Sequence, residues 1–395
     1  MKIYHYVLFA FLVGAMSVVL FLGPTDLPKP AVSAFGSETI PAQVVEIIDD
    51  GEINLGGVFQ RYQVARVEVL EGDYQGLVME MDYGKRQVLS SVVYLEEGDK
   101  ILVTLGARPD GMLTVYFVDF VRATPLVWLT VIFALAILAI SRWKGLRSLL
   151  SMAFSLFVII KFIIPQILSG ADPLRVSIIG SCILLGVTLY LTYGWNLKTH
   201  TAVISMFFVL LITGLLAGIF VAFTKLTGSG DENSLFLLQI LNTQINLRGL
   251  LLGGMIIGAL GVLDDLVTTQ ASAVFELHFA NPTLGFWELY RSAMRIGQDH
   301  VAATVNTLVL AYAGASLPML LLFTLGQGEL GYLINFEFVA EEIVRTLVGS
   351  LGLVSAVPLT TAIAIFLVLR ADSLGRWEQV LGPMGGGDGG HIHSH

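Results

Sequence analysis

The sequence predicts a polytopic α-helical membrane protein of about eight transmembrane helices, with an all-β domain inserted after the first of them. Three observations predict it. Of 395 residues, 55% are hydrophobic and 13% charged, with a mean hydropathy of +0.77, whereas soluble domains carry roughly 25% charged residues. Apolar runs near the roughly 20 residues that cross a bilayer recur at 5–22, 125–141, 148–168, 176–195, 202–223, 249–270, 302–325 and 345–369. Residues 31–121 instead alternate apolar and polar side chains, the period of a strand with one buried face.

The first run, within residues 1–30, reads as an anchor and linker. Small residues at 31–34 resemble a cleavage site, but Pro24, Pro28 and Pro30 fill a long gap before them. Cleavage would leave seven spans. Residues 31–121 then offer strands at 39–48, 59–70, 76–83, 100–106 and 112–120, separated by turn signals at 49–51, 71–73, 96–99 and 108–111. Five short strands suit a small closed barrel, OB-like in type. This domain holds 15 acidic and 6 basic residues, a balance of −9 that equals the net charge of the whole chain. Such a surface repels phosphates, so no nucleic acid partner is expected. It gives solubility, or collects cations, or docks an envelope protein.

Residues 122–380 form the predicted seven-helix membrane domain. Basic side chains gather in alternate links: Arg142, Lys144 and Arg147, then Lys198 and His200, then Arg291 and Arg295, then Arg370 and Arg376. The opposite links hold Arg175 and the acids Glu329, Glu337, Glu341 and Glu342. Positive charge favours the cytoplasm, so both termini are expected inside and the β domain outside. Residues 281–298 read as an amphipathic helix on the interface, with Phe286, Trp287, Leu289 and Tyr290 on its apolar side. Residues 381–395 read as a flexible Gly/His tail ending in His391, His393 and His395. The single cysteine, Cys182, excludes a disulfide within the chain and reads as a small apolar filler.

The candidate site lies at 249–276. A Gly-rich apolar helix, with Gly254 and Gly258 spaced for close approach by a neighbour, runs into Asp264 and Asp265. On a helix, Asp265, Thr268, Thr269, Ser272 and Glu276 share one face, opposite Leu263, Leu266, Val267 and Val274. A carboxylate at bilayer depth costs about 2.5–3.5 kcal/mol on insertion scales and by default marks function. The following span opens with Asp299, His300, Thr304, Asn306 and Thr307. Antiparallel packing of the two helices would bring Asp264, Asp265, Asp299 and His300 together as ligands for a divalent cation, or as a proton relay. Each also has a plain reading: Asp264 and Asp265 as solvated end residues, Asp299 and His300 as a helix start. Lys161, inside the third run, either neutralises one of these acids or snorkels to the surface.

Two stretches, GALGVLDDLVTTQASAVFEL (258–277) and RIGQDHVAATVNTLVLAYAGASLPMLLLF (295–323), resemble the YibE/F-like family of bacterial membrane proteins, from the β domain through the last span. The resemblance implies a bacterial cytoplasmic membrane protein and supplies no reaction. The function expected is a carrier or exporter of a cation or of a proton-coupled small solute, not an enzyme. No Gly-rich Lys-Ser/Thr nucleotide loop is present to drive it. A scaffold or sensor acting through the acidic domain, alone or as a homo-oligomer, is the alternative. An intramembrane aspartyl hydrolase is the least favoured, since neither HExxH nor a nucleophile elbow occurs.

Overall fold

The computed structural model describes residues 14, 16, 17, 39–86, 88, 93–107, 113–240, 245–325, 330–370 and 381. Most of the first apolar run, the linker after it and His391, His393 and His395 lie outside the described residues. The chain divides into two compact units, Pro30–Ala139 and a second made of Met1–Lys29 with Ile140–His395.

The first unit contains a closed five-stranded barrel: β1 (Thr39–Leu55), β2 (Val58–Val69), β3 (Val78–Tyr83), β4 (Lys100–Ala107) and β5 (Leu113–Phe120), in the order β1-β2-β3-β5-β4. All pairs are antiparallel except β3 with β5. Alternation decides the faces. Ala65, Val67 and Val69 are fully buried, whereas Arg66 pairs with Glu46 on the outside at 2.9 Å. Buried Gln63 clamps Leu95 through both its amide atoms, at 2.7 and 3.1 Å, and Tyr83 Oη donates to Val93 O at 2.7 Å. The turn expected at 49–51 is instead part of β1. Two bulges, at Val44/Glu46 and Ile47/Asp49, bend the strand there, and the chain reverses at Gly56 and Gly57, both with positive φ. Only glycine takes that conformation without strain.

The helices are α1 (Ala123–Val158), a π-helical turn (Ile159–Ile163), α2 (Ile164–Leu168), α3 (Pro173–Tyr193), α4 (Leu197–Phe223), α5 (Glu232–Ile240), α6 (Leu247–Ala280), α7 (Phe286–Ala315), α8 (Leu317–Leu325), α9 (Leu330–Leu333) and α10 (Glu337–Leu369). Their starts follow capping chemistry. Asp172, Asn196 and Asn246 accept from the backbone N–H of Arg175, Thr199 and Gly249 at 3.0, 2.9 and 3.0 Å.

Five helical runs among the described residues are long and apolar enough to cross a membrane: Ala123–Leu168, Pro173–Tyr193, Leu197–Phe223, Leu247–Ala280 and Glu337–Leu369. The first is 46 residues long, about twice what a bilayer needs. Its backbone leaves the helical region at Arg142 (φ 47°, ψ −124°), at the junction of the expected spans 125–141 and 148–168. The expected span 302–325 is divided at Ser316 between α7 and α8, and neither is among the five. The helix expected at 281–298 is not separate. It is the first half of the 30-residue α7, and its apolar residues Leu289 and Ala293 are buried against Val274, Phe275, Ala364 and Ile365 rather than left for a lipid surface. Cys182 is exposed on α3 and fills no core.

In lipid, apolar side chains gain little by leaving the hydrocarbon, so close approach does the work of association. Several helix crossings among the described residues use glycine for it. A Cβ on Gly253 would collide with Ser177, one on Gly297 with Val357, and one on Gly352 with Thr213. These contacts set α3 against α6, α7 against α10 and α4 against α10.

Candidate functional site

Helix α6 buries the face that the sequence marks as apolar. Leu263, Leu266, Val267 and Val274 are at most 1% exposed, packed with α3, α4 and α10. The polar stripe is therefore not the packing face. Asp265, Thr269 and Glu276 are exposed and Ser272 is half-buried. Gly254 and Gly258, expected against a neighbouring helix, are exposed too, and no described atom would meet a Cβ on either. The apolar contact won because four helices close the core around it.

Asp264 sits on the flank between these faces. One of its carboxylate oxygens, Oδ1, is buried without a hydrogen-bond partner among the described residues. Thr268, buried one turn on, directs its hydroxyl to the Asp264 carbonyl at 2.9 Å, with Tyr193 Oη of α3 3.4 Å away. Glu276, at the end of the stripe, pairs with Lys198 Nζ at 3.4 Å. Among the described residues, no cation pairs with Asp264.

The second half of the expected site does not assemble. Asp299, Asn306 and Thr307 are exposed and His300 is half-buried, because α7 packs through Leu289, Ala293, Gly297 and Leu308. That face is opposite Asp299 and Asn306. Among the described residues, no three His, Cys, Asp or Glu side chains converge to hold a metal ion, so Asp264, Asp265, Asp299 and His300 are not one ligand set. Lys161 is exposed on the π-helical turn and makes no ion pair with either aspartate. Besides the apolar packing of Val274 and Phe275 on Leu289 and Ala293, Gln270 ties α6 to α7. Its Nε2 donates to Ala293 O at 3.0 Å and to Thr361 Oγ1 of α10 at 2.7 Å.

Other polar groups escaped the sequence reading. His200, counted there with the cytoplasmic cations, is buried: Nδ1 meets Tyr190 Oη at 2.7 Å and Nε2 meets Leu381 O at 3.0 Å. Leu381 itself packs against the cluster of Leu197, Phe275 and Leu289. Glu337 and Glu341, counted as link acids, hold the loop before α5. Glu337 accepts from Thr227 Oγ1 at 2.7 Å and Gly228 N at 3.0 Å, and buried Glu341 accepts from Gly230 N at 3.2 Å. The signal was present in two features: the four-residue spacing of the acids, and a Thr-Gly-Ser-Gly loop too small to fill space with its own side chains.

A family model described as YibE/F-like protein matches residues 129–370, more than half of the chain. The match begins after the barrel, so it does not extend to the β domain as the resemblance implied. No curated protein and no solved structure matches the chain.

Proposed function

The chain belongs to the YibE/F-like family, and on that premise we propose that its helical unit is a proton-coupled carrier of a small solute or cation. Asp264 is the group that takes up and gives back the proton. The observation that carries this reading is the buried, unpartnered Oδ1 of Asp264 on a helix apolar and long enough to cross a membrane. A carboxylate at such depth is costly when ionised and alone. It is relieved by a proton or by an arriving cation, and alternation between the two couples one flux to another. Beside it the Thr268 hydroxyl rests on the Asp264 backbone carbonyl at 2.9 Å, 3.4 Å from Tyr193 Oη. Asp265, exposed one residue on, stands as the entrance rather than the holding site. The charge pattern of the links supports a barrel outside the cytoplasm.

The outward polar face of α7 supports a second reading. Asp299, Asn306 and Thr307 point away from their own bundle, and in lipid such a face needs a polar neighbour. That neighbour is a second copy or an envelope protein, and the chain then serves as a scaffold.

Purified full-length protein in proteoliposomes, under an imposed pH gradient, with an interior pH dye and with monovalent and divalent cations and small organic solutes supplied in turn, tests the first reading. The unmodified protein should dissipate the gradient, and Asp264→Asn should slow dissipation at least about tenfold, one step of 1.4 kcal/mol. No dissipation by the unmodified protein, or an unaffected Asp264→Asn variant at equal incorporation, would remove the carrier reading and leave the scaffold.

A further inference from the structure

One face of α7 points away from its own bundle. At helical spacing, Arg295, Asp299, Ala302, Asn306 and Ala313 share that face, opposite the packed Ala293, Gly297 and Leu308. Arg295, Asp299, Ala302 and Asn306 are exposed, and among the described residues no side chain partners Arg295, Asp299 or Asn306. Arg295 and Asp299 are one turn apart, but the base precedes the acid, which is the less favourable order within one helix.

The face lies at membrane depth. Helix α7 runs antiparallel to α10: Gly297 packs on Val357, and Leu308 approaches Gly349. Asp299 and Asn306 lie between those two contacts. They stand level with the middle of the Glu337–Leu369 run, which is apolar and long enough to cross a membrane. A carboxylate or an amide turned to hydrocarbon there is costly. Ala302, between them on the same face, lets another backbone come near.

We propose that a second copy of this chain covers the face, α7 against α7 about a two-fold axis along the membrane normal. Two copies inserted in the same sense present α7 in parallel, so Asn306 meets the partner's Asn306 at equal depth. An amide both donates and accepts, so it satisfies its own twin, and one such Asn fixes a parallel register. Arg295 and Asp299 complete each other crosswise, Arg295 toward the partner's Asp299 and the reverse. The face is thus complementary to itself in charge and hydrogen bonding, as a two-fold interface requires. An envelope protein would have to supply the same groups at the same depths. This pairing rests on the reading that α7 has a polar neighbour and does not depend on Asp264.

Disulfide trapping of the full chain in native membranes tests it. The one cysteine, Cys182, is exposed on α3 and is first removed by Cys182→Ser. Ala302→Cys should then cross-link under oxidant into a species of twice the chain mass. Ala311→Cys, exposed on another side of α7, should not. Adding Asn306→Leu should raise the dissociation constant of the purified dimer about threefold or more, and Asn306→Gln, which keeps the amide, should raise it less. Equal trapping at both positions, a dimer unmoved by Asn306→Leu, a cross-linked band of another mass, or no band at all overturns the second copy. A nitroxide on the cysteine of Ala302→Cys then tells how much falls with it. Weak broadening by dissolved oxygen leaves the face covered by another occupant, the chain's own first apolar run (5–22) included. Strong broadening puts the face in lipid and removes the polar neighbour as well.

Discussion

The barrel and the helical unit treat their acids in opposite ways. In the barrel, Asp49 is half-buried and Asp50 exposed on β1, and each finds a cation: Lys85 Nζ at 3.0 Å for Asp49, Arg61 Nε at 2.6 Å for Asp50. These hydrogen bonds hold both carboxyls below the ordinary value of 3.8. In the helical unit, Asp264 is mostly enclosed and has a carboxylate oxygen with no hydrogen-bond partner among the described residues. Paired surface acids bear on solubility and contribute little to stability. An acid left alone among apolar helices is kept at a cost, and such costs mark function. The acidic character of the sequence thus belongs to one unit and the acid proposed to carry the proton to the other.

The largest expected effect breaks the comparison at its root: Asp264→Asn should remove flux, while removal of both barrel acids by Asp49→Asn with Asp50→Asn should leave it within about twofold. Equal effects in the same proteoliposome assay would erase the distinction. Next in size is packing. Gly297→Leu forces a side chain into Val357 and Gln270 and should cost about 1–3 kcal/mol, read as a lowered Tm in detergent. Gly254→Leu, on the open face of α6, should shift Tm far less. Gln63→Ala in the barrel strands the Leu95 backbone groups it clamps and should cost about 1–3 kcal/mol, measured by denaturant unfolding of the full chain.

The smallest effect is the pH dependence of the barrel's ion pairs. Asp49 and Asp50 are depressed when folded, so their contribution is present above the unfolded value and lost as pH falls through and below 3.8. A Lys85→Met, Arg61→Met variant should therefore differ from the parent at pH 6 and converge with it at strongly acid pH. Divergence toward acid would mean that other carboxylates govern the barrel.

Much of the architecture was legible in the sequence. Alternation at 59–70 located β2, and the 3.6-residue period of α6 identified its buried face down to Leu263, Leu266, Val267 and Val274. Periodicity says that two faces differ. It does not say which meets protein, because a bilayer and a protein core both accept leucine. Hence Gly254 and Asp265 were assigned to a helix contact that the structure gives to the opposite side. The same ambiguity divided α7. Arg291 and Arg295 read as link cations and Asp299 as the opening of the next span, yet one long helix tolerates all three when its buried stripe, Leu289, Ala293 and Gly297, continues without interruption. The burial of His200 was illegible for another reason: Leu381, which caps its Nε2, lies 181 residues away, and only the fold brings it near; for Glu341 the spacing marked the acid but not the loop 111 residues away that it holds.

The seat of Leu381 has a practical consequence for anyone handling this chain. Its carbonyl receives the His200 ring and its side chain closes the greasy floor formed by Leu197, Phe275 and Leu289. A stop codon placed just upstream would uncork that floor and leave an imidazole nitrogen bare. Reporter fusions and affinity handles therefore belong downstream of this leucine.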